Sequence, residues 1–181
     1  MRYADDMVIL CRDAAEADRA LGLVRQWMAG ARLTLHPEKT HIVDMTQPGA
    51  HFDFLGYRFL RTEARARLIR TPRPKSIRKL REGLRAVTKR CNGYSLDEII
   101  RRVNVRLRGW FEYFQHACRS SFTDIDGWVR MRLRSILRKR RKRKGRGRGA
   151  DHLRWPNAFF TEHGLFSCVA ARAQACQPVK R

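Results

Sequence analysis

Two adjacent carboxylates near the start of the chain are the residues best suited to chemistry. Asp5 and Asp6 follow Tyr3-Ala4 and precede an apolar run from Met7 to Leu10. Two like charges side by side cost free energy unless a cation compensates for them. A tight turn between short strands would aim both side chains at one place, and Mg²⁺ prefers a few carboxylates together with substrate phosphates. The pair is therefore a candidate metal site, and the ordinary alternative is a turn with two solvated acids.

The charge of the chain is large and unevenly distributed. Its 181 residues include 40 Lys and Arg against 17 Asp and Glu, a formal net charge of +23. Residues 1–60 contain 7 basic and 8 acidic residues, whereas residues 61–181 contain 33 basic and 9 acidic ones. Such an excess indicates a polyanionic partner, nucleic acid before a membrane surface. We expect a near-neutral unit followed by a cationic unit that holds the polyanion.

Cysteine usage and hydropathy exclude several classes of protein. The five cysteines are odd in number and form no C-x-x-C pair, so neither a disulfide framework nor a zinc site is supported. No apolar run is long enough to span a bilayer. Asp5 and Asp6 would interrupt the apolar region of a signal peptide. The expectation is a cytoplasmic protein with reduced thiols, associated with nucleic acid and not with a membrane.

The first 70 residues predict strands and one helix. Tyr3 to Cys11 is typical of a strand–turn–strand, in which Met7 to Leu10 would form a buried strand. Asp13 and Glu16 form a capping box for an amphipathic helix over residues 14–30. A turn is predicted from His36 to Thr40. Further strands are predicted for residues 41–45, 52–60 and 65–70.

The rest of the chain predicts amphipathic helices. One follows Pro74 and ends before Asn92-Gly93, a second is capped by Ser95 with Glu98, and a third is capped by Thr123. Their apolar stripes are interleaved with arginine, which favours a bundle with an apolar interior and a cationic exterior. The predicted stripes are Ile77, Leu80, Leu84 and Val87; Ile99, Val103, Leu107, Trp110 and Phe114; and Ile125, Trp128, Val129, Leu133, Ile136 and Leu137. The fold class is therefore α+β.

Residues 138–148, RKRRKRKGRGR, contain nine basic residues and no acid. The first part would extend the third helix, and the Gly-Arg alternation would be flexible until it meets a polyanion. The ordinary alternative is a solvated charge run, but nine cations without an acid favour phosphate binding without sequence readout. The aromatic segment 155–166 is expected to dock on the bundle.

The ordered motifs resemble those of one family. Tyr-Ala-Asp-Asp between apolar strands resembles the catalytic hairpin of reverse transcriptases. The later motifs follow in the order of the group II intron reverse transcriptase/maturase family. Leu33–Thr40 resembles its next palm motif, Phe52–Phe59 its primer-grip hairpin, Leu107–Phe114 with Ile125-Asp126, Trp128 and Arg132–Arg134 its maturase domain, and Trp155–Phe160 with Gly164–Phe166 its closing segment in bacterial members.

The resemblance implies an incomplete palm of β-hairpins and a helix, followed by an all-α thumb and maturase bundle. The palm part would occupy residues 1–70. Thumb-like helices and the start of the maturase domain would occupy 71–118. The remainder of the RNA-binding maturase domain would occupy 119–170, and 171–181 would be a tail.

The resemblance also implies roles for the palm residues. Asp5 would be a Mg²⁺ ligand and Asp6 its neighbour in the same acidic site. Lys39 would stabilise or protonate the pyrophosphate leaving group, or would be a solvated turn lysine. Leu55, Gly56 and Tyr57 would bind the primer DNA. Gly56 would allow close approach of the primer strand, or would mark a bulge or bend.

The maturase resemblance implies contacts with intron RNA. Tyr113 is the aromatic residue expected to be exposed for stacking, whereas Trp110 and Phe114 are better placed in the core. The remaining RNA-binding candidates are cations: Arg108, Arg132, Arg134, Arg138, Lys139, Arg140, Arg141, Lys142, Arg143, Lys144, Arg146 and Arg148.

In this family the fingers and most of the palm, with the remaining catalytic aspartate, precede Tyr-Ala-Asp-Asp. This chain alone is therefore expected not to polymerise DNA. It would be the C-terminal part of a complete enzyme, a free-standing splicing factor that binds group II intron RNA, or half of a split enzyme completed by a fingers–palm chain in trans. The remaining alternative is a generic basic RNA-binding protein with a coincidental acid pair.

Overall fold

The structure is a computed structural model that describes residues 1–62 and 67–175. The chain divides into two compact units, Met1–Arg70 and Thr71–Arg181. The first contains short antiparallel sheets and one helix, and the second is helical. This confirms the α+β fold class. The predicted strand residues 65–66 and tail residues 176–181 lie outside the described ranges.

The first unit, called here the N-terminal unit, contains two small sheets. The strands β1 and β2 form a hairpin, and the other three strands form a second sheet in the order β3-β4-β5. The last strand runs across the boundary between the units. The elements are β1 Arg2–Tyr3, β2 Asp6–Met7, α1 Ala14–Gly30, β3 His51–Phe54, β4 Tyr57–Thr62 and β5 Arg67–Pro72.

Helix α1 has the predicted bounds, and its first turn explains why. The Asp13 carboxylate accepts a hydrogen bond from the Glu16 backbone N–H at 2.7 Å, which satisfies a donor that the helix itself leaves open. Glu16 reaches back to the Arg12 N–H at 2.7 Å instead of to Asp13. Leu23 and Trp27 are exposed, and no residue of α1 is fully buried.

Two strand predictions for the N-terminal unit are wrong. The run from Met7 to Leu10 is not a buried strand: β2 ends at Met7, and Ile9 and Leu10 are exposed, because no described strand lies beside them. Residues 41–45 form no strand. Asp44 there accepts hydrogen bonds from the N–H and hydroxyl of Thr46 and from the Gln47 amide. A side chain that accepts hydrogen bonds from the backbone of the residues just after it favours a turn over a β-strand.

The second unit, called here the helical unit, contains all the fully buried apolar side chains among the described residues. The core is made by three long helices, to which three short ones are attached. The long helices are α2 Pro74–Val87, α3 Leu96–Phe114 and α4 Arg119–Arg140. The short ones are α5 Gly149–Arg154, α6 Asn157–Glu162 and α7 Cys168–Ala175. None of the described helices is both long and apolar enough to cross a membrane.

The predicted apolar stripes form most of this core. Leu84, Val103, Leu107, Leu133 and Ile136 are almost fully buried, as the helical spacing predicts. Ser95 caps α3 by accepting from the Glu98 N–H at 3.2 Å.

The predicted start of the third helix at Thr123 is wrong. Helix α4 begins one turn earlier, at Arg119, and Thr123 lies inside it, where its hydroxyl donates to the Arg119 carbonyl at 3.3 Å. In a helix interior the backbone N–H groups already have partners. A threonine hydroxyl there donates to the carbonyl four residues earlier instead of accepting from an N–H group as a cap does. The earlier start brings Phe122, which is fully buried, into the helix.

The segment after α4 packs on the long helices, as expected. Trp155 and Phe160 are buried. Asn104 of α3 holds the turn before α7 with both ends of its amide, which donates to the Gly164 carbonyl and accepts from the Phe166 N–H, each at 2.8 Å. The chain therefore returns to α3 before α7 begins.

Candidate nucleic-acid interface

The acid pair lies in a tight hairpin. Tyr3 and Asp6 face each other across β1 and β2, so Ala4 and Asp5 form a two-residue turn. Ala4 has a φ of 50°, in the left-handed region that two-residue hairpin loops require and that a side chain makes unfavourable. The residues from Met1 to Met7 are all exposed. The hairpin therefore presents its carboxylates at an exposed turn.

Carboxylate oxygens are suitable donors for Mg²⁺, which commonly takes one or two of them together with phosphate and water. Within residues 1–62 and 67–175, however, no group of three or more His, Cys, Asp or Glu side chains could hold a metal ion. Asp5 and Asp6 thus fit part of a magnesium site, and further ligands would have to come from substrate or from additional polypeptide.

The other two palm candidates also lie in turns. Lys39 is exposed, in a turn closed by hydrogen bonds from the Lys39 and Thr40 N–H groups to the His36 carbonyl. Leu55 and Gly56 connect β3 to β4 with φ values of 47° and 78°. Positive φ at both central positions matches the twist of a tight hairpin, and glycine adopts it without strain. Gly56 therefore marks a hairpin turn, with Tyr57 as the first residue of β4.

This second hairpin is braced by two cross-strand pairs. Phe52 stacks on Phe59, with ring centroids 4.9 Å apart, and Arg58 forms a two-pronged ion pair with Asp53 at 2.8 and 3.1 Å. Directly opposite pairs of this type are the unit of stabilisation in a two-stranded sheet. They hold Leu55 and Gly56 at the tip of a regular ladder.

The basic segment 138–148 is attached to the helical unit at three points. Helix α4 includes its first three residues, as expected. Arg138 then donates to the Lys144 carbonyl at 2.7 Å, and the Gly147 N–H donates to the Ser135 hydroxyl at 3.3 Å. The Arg148 N–H donates to Asp151 at 2.9 Å. The Gly-Arg run, which the sequence predicts to be flexible until it meets a polyanion, lies against α4 and the start of α5 through these hydrogen bonds.

Eight cations of this segment are exposed. None of them forms an ion pair with a carboxylate in the described part of the chain, and Arg140 donates to the Tyr94 carbonyl. They are Lys139, Arg140, Arg141, Lys142, Arg143, Lys144, Arg146 and Arg148. The summed electrostatic potential of this many cations without ion-pair partners attracts a polyanion.

Three of the predicted RNA-binding arginines have internal partners. Arg134 is 3% exposed and donates to the Trp155 carbonyl and the Asn157 side chain, each at 2.9 Å. Arg132 donates to the hydroxyl and carbonyl of Thr88. Arg138 pairs with Asp151 at 2.8 Å. Each of the three joins two elements of the helical unit; Arg134 is buried, whereas Arg132 and Arg138 are half-buried.

The aromatic side chains of α3 are arranged largely as expected. Phe114 is buried, Trp110 is half-buried and Tyr113 is 55% exposed, lying edge-on to the Phe114 ring. Arg108 is exposed and lies over the ring of Phe166. Phe111, which the sequence reasoning did not single out, is buried between Phe122 and Phe166.

Two buried carboxylates join elements of the helical unit, and the sequence did not predict their partners. Asp126 accepts hydrogen bonds from the Ser167 hydroxyl and from the Cys168 and Val169 N–H groups, and so caps α7 from α4. Hydrogen bonds from Arg148 and Arg138 hold the pKa of Asp151 below its usual value. A lone acid on an apolar helix face was the available signal for Asp126, but the sequence does not show which donors it meets.

Trp128 on α4 is surrounded by cations from two helices. The guanidinium carbons of Arg81 and Arg85 of α2 lie 5.6 and 5.8 Å from the centre of its rings, and that of Arg132 lies at 5.4 Å. Contacts at these distances gain from the charge distribution of the indole face. Burial, and secondarily the charge of Arg85, lower the pKa of Arg132. Three cations therefore converge on one side chain.

Two family models match the chain. Residues 77–155 match the group II intron, maturase-specific domain, which covers α2 to α5. Residues 1–59 match the reverse transcriptase (RNA-dependent DNA polymerase) family, which covers the acid-pair hairpin, α1 and most of the second hairpin. No curated protein matches the chain.

Proposed function

The chain carries a group II intron maturase-specific domain preceded by the C-terminal part of a reverse transcriptase domain, and from this premise we propose that its helical unit binds group II intron RNA to assist splicing and mobility. The binding is directed at phosphates, so affinity comes from charge and shape more than from base readout. The RNA is a structured polyanion, and the unit offers an array of cations on a backbone that hydrogen bonds hold to α4 and α5.

The basic segment is the observation that carries this proposal. Its eight exposed cations lie on a backbone that three hydrogen bonds attach to α4 and α5. Such a backbone loses less conformational freedom on binding than the backbone of a free tail does. The ion pair between Arg138 and Asp151 further joins α4 to α5 across the segment. The segment is therefore part of the folded unit.

The test is the salt dependence of RNA binding. In a K142Q/R143Q/K144Q variant, affinity for a structured group II intron RNA should fall, and the slope of log affinity against log salt should flatten by about two to three units. The control R12Q/R19Q/R25Q removes the same charge from exposed positions of the N-terminal unit. If both variants change the slope equally, the segment has no special part in binding.

Competition distinguishes a maturase from a generic basic protein. Unlabelled intron RNA should displace labelled intron RNA at lower concentration than an unrelated structured RNA of equal length at moderate salt. Equal competition would favour non-specific phosphate binding, which the charge alone can supply. A splicing assay with the same RNA, with and without the protein, tests whether binding assists folding of the intron.

A second candidate function is RNA-directed DNA polymerisation within a larger assembly. The exposed apolar residues Ile9, Leu10 and Trp27 favour it, because a palm normally buries such side chains under further strands. Asp5 and Asp6 would help hold Mg²⁺, which would supply charge neutralisation at the reacting phosphate. Lys39 and the tip formed by Leu55, Gly56 and Tyr57 would position pyrophosphate and primer DNA.

Mixing the chain with a fingers–palm chain tests this second function. Primer extension should appear on mixing and should be abolished by Asp5→Asn, while RNA binding by the variant stays unchanged. If RNA binding is lost together with extension, Asp5 has a structural role. If no extension appears under any mixing ratio, binding alone remains.

A further inference from the structure

We propose that Arg81, Arg85 and Arg132, gathered around Trp128, form a phosphate-binding site for the RNA backbone on the α2–α4 face, separate in sequence from the basic segment. The site rests on the proposed RNA-binding function and deepens it by naming a second point of contact. It includes Arg81 and Arg85, which the sequence reasoning did not select.

The three arginines have no carboxylate to balance their charge among the described residues. The three guanidinium carbons lie within 5.4 to 5.8 Å of one indole centre. Over the described residues, none of the three forms an ion pair with a carboxylate. Arg81 and Arg85 are also four residues apart on α2, a spacing at which like charges are destabilising. An anion placed among them would relieve that repulsion.

Hydrogen bonds fix the position of Arg132 within the cluster. Arg132 is anchored through Nε and Nη2, which donate to the hydroxyl and carbonyl of Thr88 at 2.6 and 2.7 Å. That hydroxyl in turn donates to the Leu84 carbonyl at 2.6 Å. The guanidinium carbons of Arg81 and Arg85 lie 5.6 and 5.8 Å from the centre of the half-buried Trp128 indole. Arg132 is thus held in place before a ligand arrives, which lowers the entropic cost of binding.

Some of the nitrogen donors in the cluster have no hydrogen-bond partner among the described residues. The Nε of Arg81 is buried and has no hydrogen-bond partner among the described residues. The side chain of Arg85 is exposed, and its guanidinium donates no hydrogen bond in the described part of the chain. Such donors match the oxygens of a phosphate, which arginine binds through two parallel hydrogen bonds. The charge and the planar donors specify a phosphodiester and provide no contact specific to a base.

The experiment uses the full chain and two readouts. Inorganic phosphate at low ionic strength should raise the Tm of the wild type, because an anion that binds the folded state stabilises it. In R81Q/R85Q the rise should fall to less than half. The control K75Q/R78Q removes the same charge from exposed positions of the same helix and should keep the full rise.

The second readout is RNA affinity. R81Q/R85Q should weaken binding of the intron RNA about tenfold or more at fixed salt, since charge-assisted contacts are lost. The salt slope should fall by about one unit more than in K75Q/R78Q. The single variant Arg85→Gln should also lower RNA affinity and the salt slope. Because it replaces only an exposed side chain, it keeps the test valid even if the double variant misfolds.

The outcomes separate this site from the proposed function. If the wild type does not bind RNA, the proposed function fails, while the phosphate readout still reports on the cluster. If the wild type binds RNA and R81Q/R85Q behaves like K75Q/R78Q in both readouts, the cluster only joins α2 to α4 and the inference is overturned. A phosphate effect without an RNA effect would assign the site to free anions and would overturn its role in RNA binding.

Discussion

At the scale of single residues, buried polar side chains organise the helical unit as much as apolar ones do. Asp126 accepts three hydrogen bonds at the start of α7, and Arg134 donates two to the region around α6. A buried charge is tolerated only where its hydrogen bonds are supplied. Both residues therefore contribute to the fold of the helical unit from its interior.

Replacing Asp126 should destabilise the helical unit. In Asp126→Asn one acceptor oxygen is replaced by an NH₂ group that faces N–H donors, so the free energy of unfolding should fall by about 1–3 kcal/mol. Denaturant unfolding measures it. Asp124→Asn on the same helix is exposed and should change the value by no more than about 0.5 kcal/mol. Equal effects of the two variants would contradict the capping role.

Glu98 should contribute an acid-sensitive part of stability. Hydrogen bonds from Arg101 and Arg102 lower the pKa of Glu98 from 4.5 to about 2. Because the folded state binds this proton less readily than the unfolded state, the contribution is complete above pH 4.5 and is lost as the pH falls toward 2. The Tm of wild type and Glu98→Gln should therefore differ at pH 7 and converge near pH 2.

The control for this pH profile lies on the same helix. Glu112 is exposed and forms no ion pair in the described part of the chain. Glu112→Gln should show the same dependence of Tm on pH as the wild type. A constant difference between wild type and Glu98→Gln at all pH values would show that the ion pairs do not explain the effect.

At the scale of elements, α4 connects most of the helical unit. Arg132 joins it to the end of α2, Arg134 to the Trp155 carbonyl and the start of α6, and Asp126 to α7. The same helix leads directly into the basic segment. A substitution in α4 therefore acts directly on its contacts with the end of α2, the start of α6 and the start of α7.

Gly147 fixes how the basic segment returns to α4. A Cβ at this position would lie 2.9 Å from the Cβ of Arg134, which the bonds of Arg134 hold in place. Gly147→Ala should therefore displace the segment, lower the free energy of unfolding by about 1–3 kcal/mol and weaken RNA binding. Thermal unfolding and RNA titration measure the two effects. Gly149→Ala, where a Cβ meets nothing within 4 Å, should do neither.

At the scale of the whole molecule, the two units differ in how they are stabilised. The helical unit contains the buried core, whereas no residue of the N-terminal unit within 1–62 and 67–70 is fully buried. A region with few buried apolar contacts opens at low free-energy cost. The catalytic candidates therefore lie in the unit that has no fully buried residue among those described, and the RNA-binding candidates lie in the unit that contains the core.

Hydrogen exchange of the chain should show this difference directly. Amides in the middle of α3 and α4 should exchange slowest, because they open only with the core. Amides of α1 and of the β3–β4 hairpin should exchange orders of magnitude faster. Exchange measured by mass spectrometry on peptides from both units tests this. Equal protection of the hairpin and α4 would contradict the lower stability expected for the N-terminal unit.

The sequence by itself determined the features that depend on local physics. The bounds of α1, the cap of α3 and the buried stripes follow from side-chain spacing and from donors within one helical turn. The family motifs are local as well, and their order was sufficient to predict a maturase-specific domain after part of a reverse transcriptase domain.

Only the tertiary structure decided which charges face outward. Arg134 and Arg141 are the same residue type in one arginine-rich stretch, yet the first is 3% exposed and the second is on the surface. The difference comes from the Trp155 carbonyl and the Asn157 side chain, which lie 21 and 23 residues further along the chain. The gathering of arginines around Trp128 likewise needs α2 and α4 side by side. Sequence spacing does not encode such distant partners, because they meet only when the core has formed.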